Sequence, residues 1–242
     1  MELLRTDKLS ISYDKKIILD NISFSLGEGE ILGILGESGS GKSTLLRGIT
    51  GLLGPEGEMI GGNIAYRGMN LTKMTHNEMR RILGKEIETI FQDCVASFCP
   101  VRKIGIQICE SVRAHVKMPR REIKYNAFEL MKKVNLRDCE RIWNSYPFEL
   151  SGGMSQRVGI CAAMILKPNI LLADEPASAL DSDSTKQVID ELLMMRHEYN
   201  TAMIVVSHDE NMIRRIADRI IVINDGKIID SGDAERMMSD GF

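Results

Sequence analysis

The sequence predicts an α/β fold built on a parallel sheet, and three observations predict it. An apolar run over residues 30–35 opens onto a glycine-rich loop and then a helical pattern over 45–49, the strand-loop-helix order of a βα unit. A second run, Ile170 to Asp174, ends in the adjacent acids Asp174 and Glu175 and is bracketed by Pro168 and Pro176, as a central strand delivering carboxylates at its carboxyl end would be. A third, Ala202 to Ser207, is apolar until its last residue. With 242 residues, 43% of them hydrophobic, the chain can bury a large core and suits one α/β domain carrying an inserted subdomain.

The elements follow in order. Residues 3–35 alternate in strand fashion, with Ile22, Phe24 and Leu26 on one face and Asn21, Ser23 and Ser25 on the other, which predicts an antiparallel sheet packed on the core. From Asp93 to about Leu166 the pattern turns helical. Over 122–134 it places Ile123, Ala127, Leu130, Met131 and Val134 along one stripe, and over 158–166 it is apolar throughout. After the two strands at 170–174 and 202–207, a hairpin is expected from 220–224 and 227–230 around Asp225-Gly226. The organisation read from this is a core of residues 1–92 and 167–242, with 93–166 as a helical insertion. The fifteen methionines fall mostly on apolar stripes and read as core filling.

The glycine-rich loop carries the chemistry. Gly36-Glu37-Ser38-Gly39-Ser40-Gly41-Lys42-Ser43-Thr44 is a full match to the phosphate-loop pattern. Glycines at 36, 39 and 41 permit turns in which consecutive backbone N–H groups face the β- and γ-phosphates, Lys42 adds a point charge, and the Ser43 hydroxyl stands where it can ligate Mg²⁺. A helix follows whose N-terminus favours an anion. A flexible Gly/Ser linker is the competing reading, and the abutting apolar strand argues against it. Asp174 is then placed to hold Mg²⁺ directly or through water, and Glu175 to polarise a water in line with the γ-phosphate. The bland alternative for these acids is a solvated strand end.

Leu150-Ser151-Gly152-Gly153-Met154-Ser155-Gln156-Arg157 narrows the choice among nucleotide-binding proteins. It resembles the signature motif of the ATP-binding cassette ATPases, and it stands before the acidic strand in that family's order. Ser151, Gly152 and Gly153 at a helix start offer a second anion cradle. Other positions match one by one. Tyr13 matches the aromatic that stacks on adenine, and Gln92 the glutamine that reaches Mg²⁺ and the attacking water. Asp181, in Ser178-Ala179-Leu180-Asp181, matches the loop coupling two sites across a dimer, and His208 the histidine that bonds the γ-phosphate. Alone, such a tyrosine, glutamine or histidine is ordinary core or surface polarity; their order over the whole chain is what carries the resemblance.

The resemblance implies a P-loop NTPase (RecA-like) core with an antiparallel β subdomain and an inserted helical signature subdomain. It implies ATP and Mg²⁺ at the site, and two subunits sandwiching two ATP molecules, each between one subunit's phosphate loop and the other's signature. Phe91-Gln92-Asp93-Cys94-Val95-Ala96-Ser97-Phe98-Cys99-Pro100 and Tyr146-Pro147-Phe148-Glu149 resemble the corresponding stretches in ATPases of the oligopeptide, dipeptide and nickel importers. Here Cys94 replaces a proline and Phe98-Cys99 replaces Leu-Asn. The Tyr-Pro-Phe form and the ending at Phe242, without the cysteine-rich extension of some relatives, lean toward the nickel or metal-chelate branch, with peptide import close behind. The expected partners are a second, non-identical ATPase, two transmembrane permease subunits and, indirectly, a solute-binding protein. The expected place is the cytoplasmic face of the cell membrane, held there by the permease. The alternative is an ATPase of a soluble, non-transport complex.

Charge weighs against a third class. Lys and Arg number 31 against 34 Asp and Glu, a net charge of −3, where a nucleic-acid-linked ATPase would show a basic surface. No charged-then-apolar leader and no apolar run of bilayer length is expected. Five cysteines without paired spacing read as reduced thiols, with a redox or metal role for Cys94 and Cys99 as a side reading.

Overall fold

The computed structural model describes residues 1–239 apart from Val95 and Ala179. Ala179, inside the expected Ser178–Asp181 loop, and Val95 therefore lie outside the described residues.

The chain opens with two long antiparallel strands, β1 (Glu2–Tyr13) and β2 (Lys16–Gly27), followed by β3 (Ile31–Leu35) and helix α1 (Lys42–Thr50). Next come β4 (Gly57–Tyr66), β5 (Met69–Asn70), α2 (His76–Ile82) and β6 (Ile87–Ile90). From there to residue 164 the regular structure is helical: α3 (Ile104–His115), α4 (Arg120–Lys133), α5 (Cys139–Asn144) and α6 (Gly152–Met164). The last part alternates as β7 (Ile170–Asp174), α7 (Ser182–Tyr199), β8 (Ala202–Ser207), α8 (Glu210–Ile216), β9 (Arg219–Asn224), β10 (Lys227–Asp233) and α9 (Ala234–Ser239).

Two sheets organise these elements. The first is antiparallel, in the order β2-β1-β4-β5; the second runs β10-β9-β3-β8-β7-β6. In the second, β9, β3, β8, β7 and β6 pair in parallel and only β10 is antiparallel, through the expected hairpin. Parallel strands buried on both faces read as unbroken apolar runs, which is why residues 31–35, 170–174 and 202–207 were legible. The period of two splits them cleanly. Ile31, Leu35, Leu171, Ala173, Met203 and Val205 face the helical side, while Leu32, Ile34, Leu172, Ile204 and Val206 face α1 and the antiparallel sheet.

The structure adds strands that the sequence patterns do not mark, β4, β5 and β6, of which β4 is the longest. β4 pairs along most of β1, yet its sequence GEMIGGNIAY is glycine-rich and weakly patterned. The ladder shifts register between Asp7 and Ile11, and Gly62 sits there at φ +80 with the carbonyls of Asp7 and Lys8 where a Cβ would stand. A bulge of this kind breaks the alternation on which sequence reading depends. Smaller shifts occur at the helix ends. α1 begins at Lys42, inside the loop motif, and α6 ends at Met164, two residues short of the apolar stretch, because Lys167 at φ +52 turns the chain toward β7.

Helices α3 and α4 pack against Trp143 of α5, which is 2% exposed. Its indole lies against Gly105 in the first turn of α3, so a Cβ at that position would overlap the ring. Gly105→Ala is expected to destabilise the protein by about 1–3 kcal/mol, the overpacking cost outweighing alanine's gain in helix propensity. A urea titration reads it, and unchanged stability would mean the α3–α5 contact yields freely.

Candidate functional site

The phosphate loop runs from the end of β3 into α1. Gly36 is pressed against the Ile223 carbonyl and Ser40, and Gly39 and Gly41 adopt φ +85 and +103, conformations that favour glycine. The amide of Gly226, in the β9–β10 turn, donates to the Ser40 carbonyl at 3.2 Å and braces the loop from behind. The first N–H of α1 with an intrahelical acceptor is that of Leu45, on Gly41 O at 2.9 Å, so the amides of Lys42, Ser43 and Thr44 remain directed out of the helix start. A row of such donors at a loop–helix junction is an anion site.

Lys42 is 6% exposed, and its Nζ donates to Gly36 O at 2.7 Å and Glu37 O at 2.9 Å, folded back over the loop. Burial pulls its pKa below the usual lysine range, against the opposing pull of Glu175 and Asp174. Ser43 Oγ donates to Asp174 Oδ1 at 2.9 Å. Burial raises the Asp174 pKa and Glu175 adds to the rise; the Ser43 bond and the charges of Arg47 and Lys42 oppose it.

Glu175 follows β7 directly and is the strained residue of the site. Its φ of +49 lies in the left-handed region, at a cost of about 1–3 kcal/mol for a residue with a side chain. The conformation is held by its amide, which donates to Val206 O at 2.9 Å, and by its own carbonyl, which accepts from Ser178 N at 3.2 Å. The carboxylate lies 4.0 Å from Lys42 Nζ, accepts from Ser207 Oγ at 3.4 Å, and is 2.9 Å from His208 Nδ1. Donation from Nδ1 leaves Nε2 of this exposed histidine directed away from Glu175. Lys42, Ser43, Asp174, Glu175 and His208 are thus one connected set. They meet because β3, β7 and β8 are parallel neighbours whose carboxyl ends share an edge, where ligands of open α/β sheets bind.

The remaining residues stand apart from that set. Gln92 follows β6, and its Nε2 donates to Ser178 Oγ at 3.4 Å, which in turn donates to the Glu175 carbonyl; it touches neither Ser43 nor Asp174. Ser151 caps α6, accepting from Met154 N at 3.4 Å, and Gly152 has open space around it. Asp181 caps α7, accepting from the amides of Asp183 and Ser184. Among the described residues none of Ser151, Gly152, Gly153 and Asp181 contacts the phosphate loop. Tyr13 ends β1 half-buried against Gly57, with its hydroxyl buried and without a hydrogen-bond partner among the described residues.

Residues that sequence reading passed over complete the arrangement. Ser207 joins the Glu175 carboxylate to the amide of Asp209, and Val206 O fixes the Glu175 backbone. Ser155 and Gln156, buried on α6, line a cleft with Gln92, Ser178 and Leu180 and have side-chain atoms without hydrogen-bond partners among the described residues. Ser207 had a signal in lying next to His208, and Ser155 and Gln156 lie inside the Leu150–Arg157 signature element, but their burial beside Gln92 is a tertiary outcome.

A model of the family described as ABC transporter matches residues 19–178, from β2 to the end of the acidic segment. The chain belongs to the ABC transporter family. Among relatives of this ABC chain, it is similar to the oligopeptide transport ATP-binding protein AmiE of Streptococcus pneumoniae, 40% identical over 90% of this chain, and spans 62% of that protein's length. It is also similar to the metal-staphylopine import system ATP-binding protein CntD of Staphylococcus aureus, 35% identical over 98% of this chain and 88% of that protein. Among solved structures, a dimeric post-hydrolysis state of an ATP-binding cassette bound to ADP and Pi matches with a TM-score of 0.85 at 28% identity, covering 96% of this chain and 99% of that one.

Among the described residues no helix is long and apolar enough to cross a membrane. All five cysteines are free; burial pushes the Cys94 thiol up to about 12 and raises those of Cys109, Cys139 and Cys161. Among the described residues no cluster of three His, Cys, Asp or Glu could hold a metal. A redox role for Cys94 therefore finds no thiolate to support it.

Proposed function

We propose that this chain is the ATP-hydrolysing subunit of an ABC importer for peptides or metal chelates. The observation that carries the reading is the strained Glu175, aimed by β8 toward Lys42 and the phosphate loop with His208 beside it. In this reading the amides of residues 39–44 take the β- and γ-phosphates, and Lys42 leaves the carbonyls of Gly36 and Glu37 to bond them. Tyr13 supplies a ring face for adenine from the end of β1. The Ser43 hydroxyl beside the Asp174 carboxylate suits a divalent ion of the Mg²⁺ type, which takes one or two protein oxygens together with substrate phosphates. Mg²⁺ bound there supplies charge neutralisation to the phosphates.

The chain's own groups do the rest. Glu175 orients a water and accepts its proton at a carboxylate oxygen. His208, with Nδ1 on that carboxylate, presents its other ring nitrogen to the transferring phosphoryl group. Gln92 reports through Ser178 on the Glu175 backbone. Ser151 to Gly153, distant from this chain's own loop, serve the ATP of a second subunit, and Asp181 lies at the joint between the two sites. The partners are a second ATPase, non-identical, with two permease subunits that carry the solute path and a solute-binding protein beyond them. This places the chain at the cytoplasmic membrane face.

Capture tests the reading. The tagged chain, carrying Glu175→Gln to hold the closed state, is isolated from native membranes with Mg-ATP and its companions are identified by mass spectrometry. Two membrane-spanning subunits and a second ATPase are expected; soluble companions alone would overturn the importer assignment in favour of a non-transport complex.

A further inference from the structure

Helix α7 meets the signature helix α6 at two points. Ser184 Oγ lies 3.7 Å from where a Gly153 Cβ would stand and donates to the Asp181 carboxylate at 2.9 Å. Glu191, seven residues on and so on the same face of α7, lies 4.0 Å from Arg157 Nε, and Arg157 stands four residues after Gly153 on the facing side of α6. The Arg157 guanidinium gathers three elements. Nε donates to Gly153 O at 3.1 Å and Nη1 to Val134 O, at the end of α4, at 3.5 Å, while Glu191 approaches from α7.

Glu191 is an expensive residue for this position. It is 6% exposed, and its Oε2 is buried with no hydrogen-bond partner among the described residues. A leucine would fill the same space without desolvating a carboxyl, so the native side chain costs folding stability that the fold itself does not require. Burial pushes the carboxyl up to about 8, with Arg157 opposing and Asp190 adding. Fully buried Cys161 of α6 faces it as well. Burial thus favours the neutral carboxyl, and a rise in pH favours the charged pair.

We propose that Glu191 and Arg157 form a latch that positions the signature cradle, Ser151 to Gly153, on α7, so that the cradle and Asp181 move as one body. The latch rests on the functional reading above. Arg157 holds the Gly153 carbonyl and so the first turn of α6, and Glu191 ties Arg157 to the helix that Asp181 begins. The two residues are positioning residues; neither lies in this chain's own phosphate site.

Glu191→Leu, Arg157→Met and the double variant test it, in the complex captured through the tagged chain and assayed above about pH 8, where the carboxylate predominates. Each single variant is expected to lower kcat about fivefold to tenfold. The double variant should be no worse than the poorer single. ATP affinity at the chain's own phosphate loop should stay within about twofold, and the melting temperature of the double variant, which replaces the whole buried pair by apolar side chains, should be equal to or above that of the native chain. Native kcat in Glu191→Leu, additive losses in the double variant, or a fall in kcat that only tracks a fall in melting temperature would each overturn the latch. Hydrogen exchange over residues 151–158 gives an answer independent of turnover: faster exchange in Glu191→Leu with residues 31–50 unchanged supports the latch, and unchanged exchange refutes it. A native complex without ATP turnover would remove the functional reading and leave this second measurement to decide the latch.

Discussion

Glu175→Gln is expected to lower kcat for ATP hydrolysis by about 10²- to 10⁴-fold, the range set by removing a positioned general base, while ATP binding persists. The geometry supports both halves. The carboxylate lies beside the loop without being bonded to Ser43 as Asp174 is, and it is held fixed by the strained backbone, Val206 O, Ser207 and His208. Glutamine keeps the shape and the bond from Ser207 but cannot take the proton, and it places a neutral group 4.0 Å from Lys42 in place of an anion. Phosphate binding should then hold or strengthen, because Lys42 loses a competing partner. Single-turnover hydrolysis beside equilibrium binding of a fluorescent ATP separates the two; unchanged turnover would remove Glu175 from the catalytic role.

Lys42→Met is expected to weaken ATP binding by about tenfold to a hundredfold, the worth of one or two charge-assisted hydrogen bonds. Lys42 is the lysine of the connected set, and its loss leaves Asp174 and Glu175 facing an incoming polyanion, with Arg47 a remaining nearby positive charge acting on Asp174. Burial works in the same direction: a 6% exposed ammonium held by two carbonyls gains most from a partner of full negative charge. Titration calorimetry with ATP reads the change, and full affinity in Lys42→Met would place phosphate recognition on the backbone amides alone. The two variants are distinguishable, since one removes turnover and keeps binding while the other removes binding itself.

The parallel strands and the phosphate loop were legible because their signals are local. A buried strand needs an apolar run, a phosphate loop needs glycine at fixed offsets, and Ser151 announces a helix start by its chemistry, all within a few residues of chain, whereas the helix that Asp181 begins was not read. The antiparallel sheet was legible in part: β2 alternates and was read, while β4, with its glycines and the bulge at Gly62, follows a register that only its pairing with β1 imposes.

By itself, then, the sequence determined which residues bear chemistry and the order in which the elements carrying them arrive, because residue type and spacing are properties of the chain. Tertiary structure alone decided which of those residues meet. Asp174 touches Ser43 across 131 residues and His208 reaches Glu175 across 33, because β3, β8 and β7 lie side by side in parallel and bring their carboxyl ends to one edge. The same packing left Ser151 to Gly153 and Asp181 outside that edge, bent Glu175 into a left-handed turn, and buried Glu191 against Arg157. Burial and strain arise from neighbours distant in sequence, which no periodicity along one strand or helix encodes.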